Sequence, residues 1–351
     1  MRGHVTERCS LVGRIGDWRR PLKSTVAGLI ATAVLLLVAL PAAQGQPAVR
    51  VQRVGFVSPL PGSPEPPTLR AFREGLGELG YVEGKNIVVE TRFAEGRSER
   101  FPELVAELIS LKIDVLVVGS TVGALAAKRA TTTIPIVFAG LIDPVAPGIV
   151  PSLARPGGNI TGVTFAIGGS GFAGKWVELL KEAVPDVSHV AALWNSTNPV
   201  SALFGPELHA AGRALNVKVD LLDAGTTTKL DRALVTIGAS GAQGIIVTND
   251  PFFLDNRAKL LQFAARKRMP AVYFTKLFAD AGGLMAYGGS LEESYRRAAT
   301  YVDKILKGTK PANLPVEQPT RFEFIISLRA AKAIGFTVPQ RVLQRADHVI
   351  E

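Results

Sequence analysis

The residues of this chain that could do chemistry sit at the ends of short apolar runs. Ser58 follows Val54 to Val57, and Ser120 and Thr121 follow Asp114 to Gly119. Asp143 comes soon after Ile134 to Phe138. Trp194 and Asn195 close the run that begins at Val190, Asp250 lies just past Gly244 to Val247, and Tyr287 follows Gly282-Gly283-Leu284. Hydroxyls at a strand-to-helix turn suit a carboxylate, because the first backbone N–H groups of a helix are unpaired and its dipole favours negative charge there. Ser120 and Thr121, ahead of an expected helix over Val122 to Ala130, fit that role and equally fit an ordinary N-cap. An ammonium group needs a carboxylate; Asp143 is the first candidate and Asp250 the second. Trp194 and Tyr287 are the leading aromatic walls, with Phe252, Tyr273 and Phe274 as further ones, and Ser58 and Asn195 complete the polar set. Such groups bind a small molecule without transforming it.

Catalytic machinery is missing from the pattern. The one cysteine, Cys9, lies near the N-terminus, and His189, His209 and His348 are far apart with no metal-ligand spacing. No G-x-S-x-G elbow occurs. Gly75-Leu76-Gly77-Glu78-Leu79-Gly80 matches a dinucleotide fingerprint in letters, but it falls late in a helical segment instead of directly after a strand. We therefore expect no enzyme, no cofactor and no metal. The formal charge of +10 is dispersed, and its densest cluster, Arg266-Lys267-Arg268, reads as a solvated helix end. A nucleic-acid binder would concentrate that charge on one face.

The N-terminus has the layout of an export signal over 1–45: Arg14, Arg19, Arg20 and Lys23, an uncharged run from Ser24 to Leu40, then Pro41 to Gln46 with small residues suited to cleavage near Gly45. A periplasmic protein is expected, with a retained membrane anchor as the alternative; the run is short beside the roughly 20 residues of a spanning helix.

Positioning these strand-end groups requires an α/β fold. From Val51 onward, β-branched runs alternate with segments of helical period such as Thr68 to Gly80 and Arg100 to Lys112. The strand series runs twice. Val54–Val57 matches Val190–Trp194, Ile87–Glu90 matches Val217–Asp220, Asp114–Val118 matches Gly244–Val247, and Ile134–Phe138 matches Met269–Phe274. Four matches in order imply two Rossmann-like, doubly wound lobes whose strand ends face each other across a cleft. Hinge strands are expected at Gly162 to Phe165, followed by Gly168 to Gly171, and at Gly282 to Leu284, with a third crossing near Pro315 to Pro319. The first lobe is then 46–163 with 283–316, and the second 164–282 with 317–351.

Several blocks resemble the ABC-importer substrate-binding family whose characterised members bind tryptophan, tyrosine or phenylalanine. They are Pro135 to Phe138 with Asp143-Pro144-Val145, Arg155 to Val163, Leu306-Lys307-Gly308 through Pro311, Leu314 to Pro319, and the ending Arg345 to Glu351. The resemblance covers roughly Val51 to Glu351 and implies a type I periplasmic-binding-protein fold with a three-crossover hinge. It also implies capture of a small solute, an aromatic or other amino acid being the candidate, and a permease of the inner membrane as partner, and a monomer is expected. The alternative is a ligand sensor that presents its bound state to a membrane receptor.

Overall fold

The computed structural model describes residues 50–62, 64–166 and 172–351. The expected signal and the glycine-rich stretch 168–171 lie outside the described residues.

Strand stretches buried on both faces are apolar throughout, and residues 54–57 of β1 (Gln52–Ser58) and 115–118 of β3 (Val115–Gly119) are of that kind. Val54, Phe56, Val115 and Val117 enter one apolar cluster, while Val57, Leu116 and Val118 enter another on the opposite face. These strands join β2 (Ile87–Phe93), β4 (Ile136–Leu141) and β5 (Ile160–Thr164) in a parallel sheet of order β2-β1-β3-β4-β5. Three helices lie between the strands: α1 (Pro67–Glu78), α2 (Phe101–Ser110) and α3 (Thr121–Ala130). Leu69, Phe72 and Leu76 of α1 cover one face; Phe101, Leu104 and Leu108 of α2 cover the other. The Gly75–Gly80 letters span the end of α1, and Gly80 adopts φ +88 just past it, as a helix stop.

The second lobe repeats the plan. Its elements are α4 (Phe172–Ala183), β6 (His189–Trp194), α5 (Phe204–Ala214), β7 (Lys218–Asp223), α6 (Thr227–Ala239), β8 (Gly244–Val247), α7 (Pro251–Asp255), α8 (Arg257–Lys267), β9 (Ala271–Tyr273), α9 (Lys276–Asp280) and β10 (Met285–Gly288). The chain then returns to the first lobe as α10 (Leu291–Leu306), whose Tyr295, Ala298, Ala299 and Val302 share a cluster with Phe56 and Phe72. It ends in the second lobe with β11 (Glu323–Ser327), α11 (Leu328–Ile334), α12 (Gln340–Leu343) and β12 (His348–Ile350). The second sheet runs β12-β11-β10-β9-β8-β6-β7, parallel except at β10–β11. Its β7-β6-β8-β9-β10 portion has the strand order of the whole first sheet, so the internal repeat extends to a fifth strand pair, β5 and β10. At the centre of this core Trp176 is fully buried, and its Nε1 donates to the Tyr287 carbonyl at 2.8 Å.

The chain passes between lobes three times: after β5, between β10 and α10, and before β11. The middle passage departs from the expectation. A boundary at 283 would put β10 in the first lobe, yet β10 pairs with β9 and β11, and the passage falls at Gly289–Ser290. Gly282-Gly283 is the tight turn feeding β10; glycine there resembles hinge punctuation in sequence but serves packing against Tyr273 and Phe278. The passages run side by side. The Thr164 N–H donates to the Glu317 carbonyl at 2.8 Å, and the Glu317 N–H donates to Gly162 at 3.0 Å. Any side chain at Gly289 would collide with the Phe165 carbonyl oxygen. The guanidinium of Arg297 on α10 grips both carboxylate oxygens of Glu317 at 2.8 and 2.7 Å.

Candidate functional site

In open parallel sheets, the loops at the carboxyl ends of strands converge with helix N-termini, and ligands bind there. Both lobes turn these ends toward one cleft, which holds two adjoining cavities. The first, about 610 Å³ with part of that space open to solvent, is walled mainly by apolar groups: Leu60, Leu141 and Ile142 from the first lobe, Val200 and Phe274 from the second, and Leu291 from α10. Its polar groups include Thr68, Ser120, Thr121 and Asn249, together with Tyr295. The second, about 1350 Å³ with part of that space open to solvent, has the more polar wall and is bordered by Arg97, Glu99 and Arg129 on one side and Asn195, Thr226 and Asp250 on the other. Ser120, Asn198 and Pro251 border both.

Each site group is held by local structure. Ser120 is the N-cap of α3, its Oγ accepting from the Gly123 N–H at 3.1 Å. Its backbone sits at φ 66, ψ 151, a region that side-chain-bearing residues occupy only at a cost of about 1–3 kcal/mol. Thr68 follows Pro66-Pro67 in the first turn of α1; its hydroxyl is buried and has no hydrogen-bond partner among the described residues. Gly140, at φ +77, lies where the β4–β5 register slips between Ala139 and Leu141. Such a bulge re-aims the strand end beside a site. Burial alone pushes the Tyr295 phenol far above its usual value.

The second lobe contributes a buried polar knot. Asp250 caps α7, with Oδ1 accepting from the Phe252 N–H at 2.8 Å and Oδ2 accepting from Asn195 Nδ2 at 3.1 Å and Asn198 Nδ2 at 2.8 Å. Burial raises the Asp250 carboxyl against the opposing effect of these three hydrogen bonds. Asn195 Oδ1 in turn accepts from the Thr197 N–H and hydroxyl.

Four of the eight residues singled out from sequence line the cavities: Ser120, Thr121, Asn195 and Asp250. The other four border neither. Ser58 is buried, with its Oγ turned to the Leu60 N–H at 3.1 Å; its neighbours Pro59 and Leu60 line the cavity instead. Asp143 folds back on its own turn, where Oδ1 accepts from the Val145 and Ala146 N–H groups at 2.7 and 3.0 Å. Trp194 is half-buried at the end of β6, beside Asp223 of β7. The Tyr287 ring packs 5.8 Å from both Phe172 and Phe322, against α4 and the last passage, because β10 turns that face away from the cleft. Of the further aromatics, Phe274 and Phe252 line the apolar and polar cavities respectively, and Tyr273 stacks in the core on Phe278 at 4.5 Å. Thr68, Tyr295 and Asn198 escaped the sequence reading. Thr68 alone carried a local signal, a hydroxyl directly after a proline at a helix start.

The cleft is shut. Leu60 and Ile142 of the first lobe belong to the apolar cluster of the second, and the Gly96 backbone lies against Asp255, where a side chain would meet that carboxylate. No group of three or more His, Cys, Asp or Glu able to hold a metal occurs among the described residues.

Two lobes with matching sheets, three passages and an interlobe cleft at the strand ends define a type I periplasmic-binding-protein fold. The family model for ABC transporter substrate binding proteins matches residues 64–350, and the chain belongs to that family. Among curated proteins, it is 24% identical over 265 residues to a tyrosine-binding protein of Clostridioides difficile, covering 76% of this chain and 75% of that one. Among solved structures, it is similar to an ABC domain from Streptococcus pneumonia in complex with L-Trp, with a TM-score of 0.78, 23% identity, and coverage of 86% of this chain and 100% of that one. A conserved domain protein from Vibrio cholerae gives a TM-score of 0.77 at 26% identity with the same coverage. Members of this family are binding proteins, not enzymes.

Proposed function

We propose that this protein is the periplasmic capture component of an ABC importer, taking a small organic solute between its lobes and delivering it to an inner-membrane permease. The observation that carries this reading is the apolar cavity at the facing strand ends, with hydroxyls at two helix N-termini on its wall and its roof supplied by the opposite lobe. Leu60 and Ile142 reach the second lobe's core only when the lobes are together, so a trapped solute and the buried apolar contacts favour the same state. The N-terminal pattern over 1–45 and the family membership support export. Ser120 and Thr121 are the proposed carboxylate contacts; Asn195 and Asp250 shape the polar side of the cleft.

Native mass spectrometry of the purified protein, followed by titration of any solute it retains, tests the reading. Thr121→Val is expected to weaken that solute at least tenfold, about 1.4 kcal/mol, while Asp143→Ala leaves its affinity within about twofold of wild type. A protein that retains nothing and is stabilised by no small solute in thermal-shift screening would remove the capture role.

A further inference from the structure

The apolar cavity is a place to bury an anion and offers nothing ionised to a cation. Its described lining holds Thr, Ser, Asn and Tyr as polar residues and not one acidic or basic side chain. Residues 63 and 167–171, which the structure does not describe, are Ser, Ile and Gly in sequence and add no ionisable group. Asp250, between the lining residues Asn249 and Pro251, borders the polar cavity, and its two oxygens already accept three hydrogen bonds from Phe252, Asn195 and Asn198. Asp143, the other carboxylate that could have met an ammonium group, is turned onto its own loop. On the anion side, two helices of ten residues or more present their first turns to the cavity, α1 through Thr68 and α3 through Thr121. Thr68 is 1% exposed, and its hydroxyl is one of three buried side-chain polar atoms without a partner among the described residues. An unpaired buried hydroxyl is a cost that a ligand oxygen can remove, whereas a buried ammonium group without a carboxylate is penalised.

Resting on the solute-capture reading, we infer that the ligand is an apolar monocarboxylate without an α-amino group. Its carboxylate meets the Thr68 hydroxyl at the first turn of α1 and, at the start of α3, Ser120 and Thr121, and its hydrocarbon body lies among Leu60, Ile142, Val200 and Phe274. This separates the chain from relatives named for amino acids, which carry both charges.

Matched pairs that differ only in the amine test the inference by isothermal titration of the purified protein. The probes are 3-phenylpropanoate against L-phenylalanine and 4-methylpentanoate against L-leucine. In at least one pair the acid is expected to bind tenfold or more tightly than its amino counterpart. Thr68→Val should weaken that acid about tenfold and Thr68→Ser restore it, with the thermal midpoint of the free protein little changed. Amino acids that bind as tightly as the acids, or more tightly, overturn the ligand class and leave solute capture standing. If neither pair binds, the composition of a solute retained in native mass spectrometry decides: a carboxylate without an amine upholds the class, any other solute overturns it. No retained solute and no stabilisation by any screened compound removes the capture reading, and the class with it.

Discussion

At the end of β3 in the first lobe, Ser120 caps α3; at the equivalent end of β8 in the second, Asp250 caps α7. The two positions share a place in the sheet order and a capping role, but their surroundings differ in kind. Ser120 is held in a backbone region that favours glycine, faces both cavities and makes one cap hydrogen bond. Asp250 is in relaxed extended backbone, 2% exposed, and is tied to Asn195 and Asn198. Strain kept at a cavity wall and not relieved by the available substitution to glycine points to use of that side chain. A fully hydrogen-bonded buried carboxylate points to rigidity. The first lobe thus carries the strained half of the site and the second its fully hydrogen-bonded half.

The largest expected effect probes whether the halves are one folding unit. Trp176→Ala removes the indole packed against Phe172 and Phe204 at 5.0 and 5.7 Å and leaves the Tyr287 carbonyl without its donor. It should cost about 4 kcal/mol. Because Leu60 and Ile142 tie the first lobe to the same cluster, urea unfolding should remain a single transition at lower midpoint. Two separated transitions would show that the lobes fold independently and that the comparison is between separate domains.

The next pair of substitutions bears on the comparison directly. Asp250→Ala strands the Asn195 and Asn198 amides in the interior and should destabilise by about 2–3 kcal/mol. Ser120→Gly loses a cap worth a few tenths of a kcal/mol relative to glycine but relieves the strained backbone, so the protein should become about 1 kcal/mol more stable while binding its solute less well. Equal destabilisation by the two would erase the distinction between them.

The smallest effect concerns the rim of the second lobe. Burial raises the Asp223 carboxyl, but hydrogen bonds from Lys229, from the Ser196 hydroxyl and from the Ser196 and Gly225 N–H groups outweigh it and hold the group at about 2, below its ordinary 3.8. A lowered folded value means stability that is complete above 3.8 and lost as pH falls toward 2. With the carboxylate partly in water, the contribution is about 1 kcal/mol. Asp223→Asn should lower stability by that amount at pH 6 and converge with wild type near pH 2 in acid titration followed by circular dichroism. Curves that stay parallel would remove the linkage.

The duplicated fold was legible before any coordinates because both its signals are local and periodic. Short β-branched apolar runs such as Val54 to Val57 and Val115 to Val118 announce strands, and the recurrence of four strand types in order announces two lobes. Ser120, Thr121, Asn195 and Asp250 could be found for the same reason, since a strand end next to a helix start is visible in sequence and is also where such folds bind. Tertiary structure decided the rest. Thr68 and Tyr295 reach the cavity from helices α1 and α10, whose positions depend on packing against each other across more than 200 residues of chain. Tyr287 looks like a site residue by the same strand-end rule, but its ring packs against Phe172 and Phe322, which α4 and the last passage bring to that face of β10. Which strand-end side chains point into a cleft is set by neighbours distant in sequence, and only the folded chain brings those neighbours together.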